Sequence, residues 1–438
     1  MTLNSSSGSA GIAPAELIRL KHFLIDSISR ELEVENPEIS QRESFLNNKI
    51  TSLLARLPSS IPANVRQKII LEVRDEVLGF GPIQPLLDDP EISEVMVNGP
   101  KLVFVEKKGK LIKTSVTFES NEQVLRVIDR IILPLGRRVD FDSPTVDARL
   151  PDGSRVNAVI PPVAIDGPSI TIRKFAKDKL KMQQLIDLGS ISPMMSEFLK
   201  ACVISKLNIV VSGGTGSGKT TFLNILSSLI PESERIITIE DAAELQLQQE
   251  HLVRLETKTA DIEGKGQVTV RDLVRNSLRM RPDRIIVGEC RGGETLDMLQ
   301  AMNTGHEGSL TTLHANSSRD ALSRMETMVL MSGMDLPIKV IRQQISAAID
   351  LIIQQTRYKD GSRKVSAITE VAGMEGDTIV LTDIFRFEQT GISSEGMIAG
   401  ELKPTGIRPL FTPRLEAAGF KLAPEVYGAN LSAILKRR

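Results

Sequence analysis

The chain is poor in aromatic residues and in cysteine. Of its 438 residues none is Trp, aromatic residues make up 3%, and Cys202 and Cys290 are the two cysteines. Scarce aromatics argue against a platform on which the bases of single-stranded nucleic acid stack. Because the two cysteines form no C-x-x-C pair, they indicate neither a zinc module nor a disulfide framework, and they fit a reducing cytoplasm.

Strong charge and long apolar runs are also missing. A formal net charge of −1 points to no polyanionic partner, so we expect no nucleic-acid ligand. The first ten residues are polar and lack the apolar core of a signal peptide. No apolar run approaches the roughly 20 residues that a membrane-spanning helix needs. We therefore expect a cytoplasmic protein that is peripheral at the inner face of the cytoplasmic membrane.

Residue patterns predict several domains. Residues 1–14 are rich in Ser, Gly and Ala without periodicity, which predicts disorder. Apolar residues at helical spacing predict an N-terminal helical module over 15–78. Short strands around turn signals predict a small α/β domain over 79–175, and the segment 176–192 is a predicted linker. Over 193–438, apolar runs alternate with helical patterns, which predicts a mostly parallel sheet with crossover helices, a β-rich annex and a C-terminal extension.

A glycine-rich segment at 213–220 has the pattern G-x-x-x-x-G-K-T. A predicted buried strand precedes it and a predicted helix follows, which favours a phosphate-binding loop over a glycine turn without a ligand. Glycines let backbone N–H groups curl toward phosphate oxygens, and the helix N-terminus adds partial positive charge. We expect Lys219 to reach the β- and γ-phosphates of ATP and Thr220 to ligate Mg²⁺. The residues predicted to bind the nucleotide here are Gly213, Gly214, Thr215, Gly216, Ser217, Gly218, Lys219, Thr220 and Thr221.

Two further apolar runs end in carboxylates. The run 284–288 leads into Glu289, which is then placed at the carboxyl end of a parallel strand, where ligands bind. We expect Glu289 to act on Mg²⁺ or its waters. The run 236–239 leads into Glu240 and Asp241. Glu240 either polarises the attacking water or belongs to a helix start that Asp241 caps.

Two of the four histidines and several arginines have two open interpretations. His306 and His314 lie in a segment whose glycines predict a turn followed by a strand, and His314 either senses the γ-phosphate or is structural. Arg271, Arg275 and Arg279 recur every fourth residue on a predicted helix. They form either an ion-paired helix face or phosphate contacts, some of them across a subunit boundary. The same alternatives apply to a second set, Arg149, Arg155, Arg173 and Arg291.

Four segments in this order resemble the ATPase superfamily of type II secretion, type IV pili and type IV secretion. That family combines a phosphate loop, an acidic box, a strand ending in G-E-x-R and a histidine box. The corresponding segments are G-G-T-G-S-G-K-T at 213–220, I-E-D-A-A-E-L at 239–245, V-G-E-C-R at 287–291 and T-G-H-E-G-S-L-T-T-L-H-A-N-S at 304–317.

Within the superfamily the chain is most similar to the tight-adherence (Flp) pilus assembly motor, the CpaF/TadA-like branch. Residues 146–157 and 167–175 look like the N-terminal domain of that branch. The tetracysteine zinc element of type II secretion and type IV pilus extension ATPases has no counterpart in this sequence, so we expect no zinc.

The resemblance implies a RecA-like P-loop domain, preceded by a smaller α/β (PAS-like) domain and a helical module, in a homohexamer. ATP and Mg²⁺ are the implied cofactors, and each nucleotide is clamped between the two domains. The implied activity is ATP hydrolysis that drives pilus assembly, pilus retraction or secretion through inner-membrane platform proteins. The alternative is a type IV secretion traffic ATPase or a RecA-like nucleic-acid translocase. The functional positions that the resemblance carries over are Arg149, Arg155, Arg173, Glu240, Glu289, His306 and His314.

Overall fold

A computed structural model describes residues 14–35, 38, 41–55, 62–107, 109–175, 180–260, 264–393 and 396–428. The chain folds into two compact units, Met1–Lys177 and Asp178–Arg438. The segment 1–14 that we predict to be disordered lies outside the described residues apart from Pro14, where the first helix begins.

The first unit begins with three helices at the predicted helical patterns. Each helix contributes one apolar stripe to a shared core, because apolar residues three or four apart share a helix face. The helices are α1 (Pro14–Glu35), α2 (Arg42–Ala55) and α3 (Ala63–Val77). The buried residues of this small core are Leu24, Ile28, Leu46, Ile50, Ile69 and Val73.

The rest of the first unit is an antiparallel sheet with the strand order β3-β2-β1-β6-β5-β4. Alternate residues of its central strands are buried in a core to which the long helix α5 contributes its apolar face. Two helices belong to this part, α4 (Gln84–Asp88) and α5 (Asn121–Ile132). The strands are β1 (Ile92–Asn98), β2 (Leu102–Lys107), β3 (Lys110–Lys113), β4 (Thr145–Arg149), β5 (Arg155–Val159) and β6 (Ser169–Arg173).

The second unit is built on a nine-stranded sheet with the order β15-β14-β13-β12-β7-β11-β10-β8-β9. The strands are β7 (Ile209–Gly213), β8 (Ile236–Glu240), β9 (Leu252–Glu256), β10 (Arg284–Val287), β11 (Leu310–Leu313), β12 (Leu351–Arg357), β13 (Arg363–Glu375), β14 (Thr378–Ile392) and β15 (Ile398–Pro404). The helices are α6 (Met182–Asp187), α7 (Pro193–Ile204), α8 (Lys219–Ser227), α9 (Val270–Ser277), α10 (Glu294–Asn303), α11 (Ser318–Leu330), α12 (Ile338–Ala348) and α13 (Thr412–Ala417).

The sheet of the second unit has a parallel half and an antiparallel half. The strands from β12 through β9 pair in parallel, and those from β12 through β15 pair antiparallel. Every residue of β7, β8, β10 and β11 is buried. Such uninterrupted burial is typical of parallel strands covered by helices on both faces. The fold is therefore α/β, with a RecA-like parallel half that holds the glycine-rich loop and an antiparallel half at the predicted annex.

The edges of the second unit differ from the predicted boundaries. Helix α6 lies within the predicted linker 176–192, and Leu185 and Ile191 are buried in the core of the unit. Near the other end, the rings of Phe411 and Tyr427 pack 6.2 and 6.3 Å from the ring of Phe198 on α7. Part of the predicted linker and part of the C-terminal extension thus belong to this core, whereas residues 176–179 and 429–438 lie outside the described residues.

Among the described helices, none combines the length and the apolar character that crossing a lipid bilayer requires.

Candidate active site

The glycine-rich loop connects the central strand β7 to helix α8 and depends on glycine at three positions. A Cβ atom on Gly213 would lie 2.5 Å from both the carbonyl oxygen of Gln355 and the hydroxyl of Ser217, so no side chain fits there. Gly216 and Gly218 have φ angles of +70° and +93°, which L side chains rarely adopt. The loop therefore has the curled backbone that turns N–H groups toward phosphate oxygens.

Lys219 is the first residue of α8 and is largely buried. Its ammonium group donates to the carbonyl of Gly214 at 3.1 Å and lies 3.4 Å from Nδ1 of His314. Burial lowers the pKa of Lys219, and the nearby carboxylate of Glu289 acts in the opposite direction. A desolvated cation at the start of a helix is well suited to bind the β- and γ-phosphates.

Glu289 follows β10, at the carboxyl edge of the sheet where the loop also lies. One carboxylate oxygen, Oε1, is 2.9 Å from Nε2 of His314, and the other, Oε2, accepts a hydrogen bond of 2.7 Å from Arg291. Arg291 in turn lies 3.4 Å from Asp241. A continuous chain of polar contacts thus joins Lys219, His314, Glu289 and Arg291, residues from three separate predicted motifs.

His314 directly follows β11, and its ring contacts a cation on one side and a carboxylate on the other. Burial lowers the pKa of His314, and the charge of Lys219 lowers it further. A neutral ring has one donor and one acceptor nitrogen, and an ammonium group can only donate. Nδ1 is therefore the acceptor facing Lys219, and Nε2 carries the proton that faces Glu289.

Glu240 ends β8 and is almost fully buried. Its Oε1 accepts the backbone N–H groups of Glu244 and Leu245 at 2.8 and 3.0 Å, while its Oε2 is buried without a hydrogen-bond partner among the described residues. Burial raises the pKa of Glu240, and the two backbone hydrogen bonds offset part of this effect. The alternative in which Asp241 caps a helix is wrong, because the segment that follows Glu240 is not helical.

The arginines of the predicted helix face are mostly ion-paired. Arg271 and Arg275 both contact the carboxylate of Asp297 at 2.7 Å, which supports the ion-paired interpretation for these two residues. Arg279 lies beyond the end of α9 and is exposed, so the three arginines do not share one helix face. A phosphate contact for Arg279 stays a prediction.

His306 lies in the turn before β11, where its carbonyl accepts the hydroxyl of Ser309 at 2.8 Å. Its Nδ1 is buried without a hydrogen-bond partner among the described residues. These contacts place His306 in the turn itself, and a direct role in hydrolysis stays a prediction.

In the first unit, Arg149, Arg155 and Arg173 lie side by side at one end of the sheet. Arg149 on β4 is directly opposite Arg155 on β5, and Arg155 is directly opposite Arg173 on β6. Directly opposed side chains point to the same face, where like charges repel. Nε of Arg173 lies 3.8 Å from Glu94. A row of three guanidinium groups is suited to an anion with several oxygens, such as a phosphate chain.

Arg357 and Arg363 also lie beside the loop, and the sequence did not predict them as site residues. Both lie at the end of the β12–β13 hairpin, and Nε of Arg363 donates to the carbonyl of Gly216 at 2.8 Å. The sequence offers a hairpin turn at 358–362 but no sign that this turn lies next to the phosphate loop. That proximity arises from the parallel pairing of β12 with β7.

The site also offers oxygen donors for Mg²⁺. Within the described ranges there is no group of three or more His, Cys, Asp or Glu side chains that could hold a metal ion by themselves. Mg²⁺ commonly takes one or two protein oxygens and completes its shell with substrate phosphates and water. The hydroxyl of Thr220 and the carboxylate of Glu289 fit that pattern, the first on the loop and the second at the strand end beside it.

Residues 76–374, more than half of the chain, match the family described as Type II/IV secretion system protein. The chain belongs to this family. The phosphate loop, the strand-end Glu289 and His314 lie inside the matched segment, and the protein is an ATP hydrolase of the secretion ATPase family. The match thus confirms the superfamily resemblance, while the specific likeness to the Flp branch stays a prediction.

Similar members of the family come from several bacteria. The chain is 37% identical over 316 residues to a Mycobacterium tuberculosis protein named for conjugal transfer, covering 71% of this chain and 89% of the relative. It is 32% identical over 295 residues to the conjugal transfer protein TrbB of Rhizobium radiobacter, covering 66% and 86%. It is 33% identical over 299 residues to the type IV secretion system protein VirB11 of Brucella abortus, covering 62% and 83%.

Solved structures similar to this chain include an ATPase and a pilus motor. The VirB11 ATPase of the Brucella suis type IV secretion system, in complex with sulphate, is 31% identical with a TM-score of 0.37, covering 66% of this chain and 95% of that one. The pilus retraction motor PilT with bound ADP is 20% identical with a TM-score of 0.48, covering 69% and 80%.

Proposed function

We propose that the protein is a hexameric motor that couples ATP hydrolysis to transport through an inner-membrane platform. The contact chain from Lys219 through His314 to Glu289 carries this proposal, because it joins a phosphate-binding cation to a carboxylate at the site where ATP would bind. The protein itself is then cytoplasmic and peripheral to the membrane, and the motion of the ring is passed to membrane proteins.

In this proposal Lys219 and the loop backbone bind the phosphates of ATP, and Thr220 and Glu289 hold Mg²⁺, partly through water. When bound, Mg²⁺ would neutralise charge on the phosphates. Water attacks the γ-phosphoryl group, and ADP and phosphate leave. The attacking water needs a carboxylate to orient it, and two are available. Glu289 lies in contact with His314, and each of the two glutamates has one buried carboxylate oxygen without a hydrogen-bond partner among the described residues.

We propose that the arginine row of β4, β5 and β6 contacts the γ-phosphate of ATP. The register of the three strands brings three guanidinium groups to one face of the sheet, and guanidinium groups suit phosphate oxygens. Arg291 holds Glu289 in the same site, while His306 belongs to the turn that positions the strand of His314.

Two transport systems are candidates for the motor. The names of the relatives, conjugal transfer and type IV secretion, favour a type IV secretion traffic ATPase. The segments 146–157 and 167–175, which resemble the N-terminal domain of the tight-adherence branch, favour assembly or retraction of a tight-adherence (Flp) pilus. Deleting the gene in its host and scoring surface pili and DNA transfer separately distinguishes the two, with the Lys219→Ala protein as the control for loss of hydrolysis.

ATPase activity resolved by particle size tests the motor. The purified protein is separated by size exclusion, and hydrolysis is measured in each fraction for the wild type and for Lys219→Ala. We expect activity in a ring-sized species that the variant lacks. Full activity in a monomer contradicts the hexameric motor. ATPase activity that DNA stimulates, with a steep dependence on salt, identifies a nucleic-acid translocase instead.

A further inference from the structure

The tip of the β12–β13 hairpin lies at the same edge of the sheet as the phosphate loop. β12 pairs in parallel with β7, and Gln355 is the partner of Gly213, the last residue of β7. Because β12 continues for two more residues, its end runs alongside the loop rather than stopping below it. Arg357 ends β12, and its partner across the antiparallel pair is Arg363, the first residue of β13.

Both arginine side chains reach the middle of the loop. Nε of Arg363 donates to the carbonyl of Gly216 at 2.8 Å, and its Cδ is 3.4 Å from where a Cβ on Gly218 would be. Nη1 of Arg357 is 3.1 Å from where a Cβ on Gly216 would be. The absence of side chains at these two glycines therefore leaves room for two guanidinium groups beside the loop.

No carboxylate neutralises this pair. Throughout the part of the chain that the structure describes, neither Arg357 nor Arg363 forms an ion pair, and Arg357 makes no side-chain hydrogen bond. Directly opposed like charges weaken a strand pair. Two exposed guanidinium groups on directly opposed residues, both beside a phosphate-binding loop, are suited to share an anion.

We propose that Arg357 and Arg363 bind the phosphates that ATP and ADP have in common, in the same chain as the phosphate loop. The backbone of such a loop surrounds the α- and β-phosphates, and Gly216 lies in the middle of it. Arg363 uses Nε for the loop and keeps its terminal nitrogens for the nucleotide, while the whole guanidinium of Arg357 is available. The pair then contributes to binding before and after hydrolysis, in contrast to a γ-phosphate contact.

The affinity for Mg²⁺-ADP and Mg²⁺-ATP tests this assignment in Arg357→Gln, Arg363→Gln and the double variant. Lys359→Gln is the matched control, since it removes one exposed positive charge from the same hairpin turn. Thermal unfolding without nucleotide shows whether each variant is folded. Arg357→Gln is decisive, because no hydrogen bond of the described structure is lost with that side chain.

We expect Arg357→Gln to weaken the binding of both nucleotides by about tenfold or more at low salt, with unchanged thermal unfolding, because a charge-assisted hydrogen bond to phosphate is lost. The double variant should also show a shallower dependence of affinity on salt, and Lys359→Gln should match the wild type. If Arg357→Gln binds ADP with an affinity within about twofold of the wild type, the proposal is overturned. It is also overturned if the variant loses affinity for ATP alone.

The inference rests on the ATPase site and not on the proposed transport function. Loss of ADP affinity in these variants supports it whether or not the protein drives a pilus or a secretion system. Conversely, ATP hydrolysis by a monomer contradicts the proposed hexameric motor and does not affect the proposed role of the arginine pair in nucleotide binding.

Discussion

The imidazole of His314 bridges the two charged groups of the site, with Nε2 2.9 Å from Oε1 of Glu289 and Nδ1 3.4 Å from Nζ of Lys219. This bridge needs a neutral ring, and the lowered pKa of His314 keeps the ring neutral at pH 7. A second proton on the ring would place a cation against Lys219 and remove the acceptor that faces it.

The turnover number should therefore fall at acidic pH. Since the pKa of His314 lies below its ordinary value of 6.5, the loss begins only as the pH falls below that value. We expect His314→Gln to have a lower kcat at pH 7.5 and to lack this acid limb. The kcat at saturating ATP, measured from pH 5.5 to 8 for both proteins, checks the prediction. An acid limb of the same shape in the variant contradicts it.

Glu289→Gln should separate binding from turnover. The amide keeps the size of the side chain and loses the charge that faces His314 and Arg291. We expect kcat to fall by about 100-fold or more, as for loss of a group that positions water or a proton, with a much smaller change in ATP affinity. Single-turnover hydrolysis and equilibrium binding measure the two effects. Full activity in Glu289→Gln would show that this residue is not catalytic. Lys219→Ala should lose hydrolysis altogether, and it is the reference for an inactive site.

Glu240→Gln should raise stability at neutral pH while lowering turnover. Burial raises the pKa of Glu240, so the folded state favours the protonated carboxyl group. The protonated group stabilises the fold fully below the ordinary pKa of 4.5, and this stabilisation is lost as the pH rises through the raised pKa. Glutamine keeps an acceptor for the N–H groups of Glu244 and Leu245 and cannot ionise. Its melting temperature should exceed that of the wild type at pH 8, and the gap should close toward pH 4.5.

Glu240→Ala is the matched structural control for that experiment. It leaves two backbone donors without their acceptor, which costs roughly 1–3 kcal/mol each if they stay buried. Full turnover in Glu240→Gln would assign this carboxylate to the support of the loop that follows it and would leave water activation to Glu289.

Arg284→Met should lower the free energy of unfolding of the second unit. Arg284 is a structural residue and not a phosphate ligand. Arg284 is fully buried, contacts both carboxylate oxygens of Glu234 at 2.6 and 3.0 Å and donates to the carbonyl of Val203 at 2.8 Å. Removing one partner of a buried ion pair costs up to about 3–5 kcal/mol, and Glu234 would keep only its longer contact of 3.6 Å with Lys206 among the described residues. Urea unfolding measures the loss.

The double variant Arg284→Met/Glu234→Leu is the internal check, since removing both charges should recover much of the stability. A double variant as unstable as Arg284→Met would show that the lost backbone contacts of Arg284, rather than the weakened pairing of Glu234, determine the cost.

The sequence predicted the parts of the site that lie on local motifs. The glycine loop, the strand-end position of Glu289 and the strand before His314 all follow from short-range patterns, because periodicity and glycine spacing are local properties. The sequence left the arginines open, since an arginine at helical spacing can meet either a carboxylate or a phosphate. Asp297, which pairs with Arg271 and Arg275, lies on a different helix, and only tertiary contact reveals it.

Long-range strand pairing accounts for what the sequence could not predict. Arg149, Arg155 and Arg173 are spread over 25 residues of sequence and become neighbours only through the register of three strands. Arg357 and Arg363 reach the loop because β12 pairs with β7, which lies more than 100 residues earlier in the chain. Similarly, the role of Leu185 in the core was not visible in a segment whose composition indicates a linker.

The antiparallel half of the large sheet is not a detachable module. β12 is hydrogen-bonded to β7 on one side and to β13 on the other, and its first five residues are buried. A protein truncated after Arg357 would expose the backbone of an apolar strand as an open edge, which is a template for aggregation. Amide groups of β12 should exchange with solvent only when the whole second unit opens, so these strands unfold as one cooperative element with the nucleotide site.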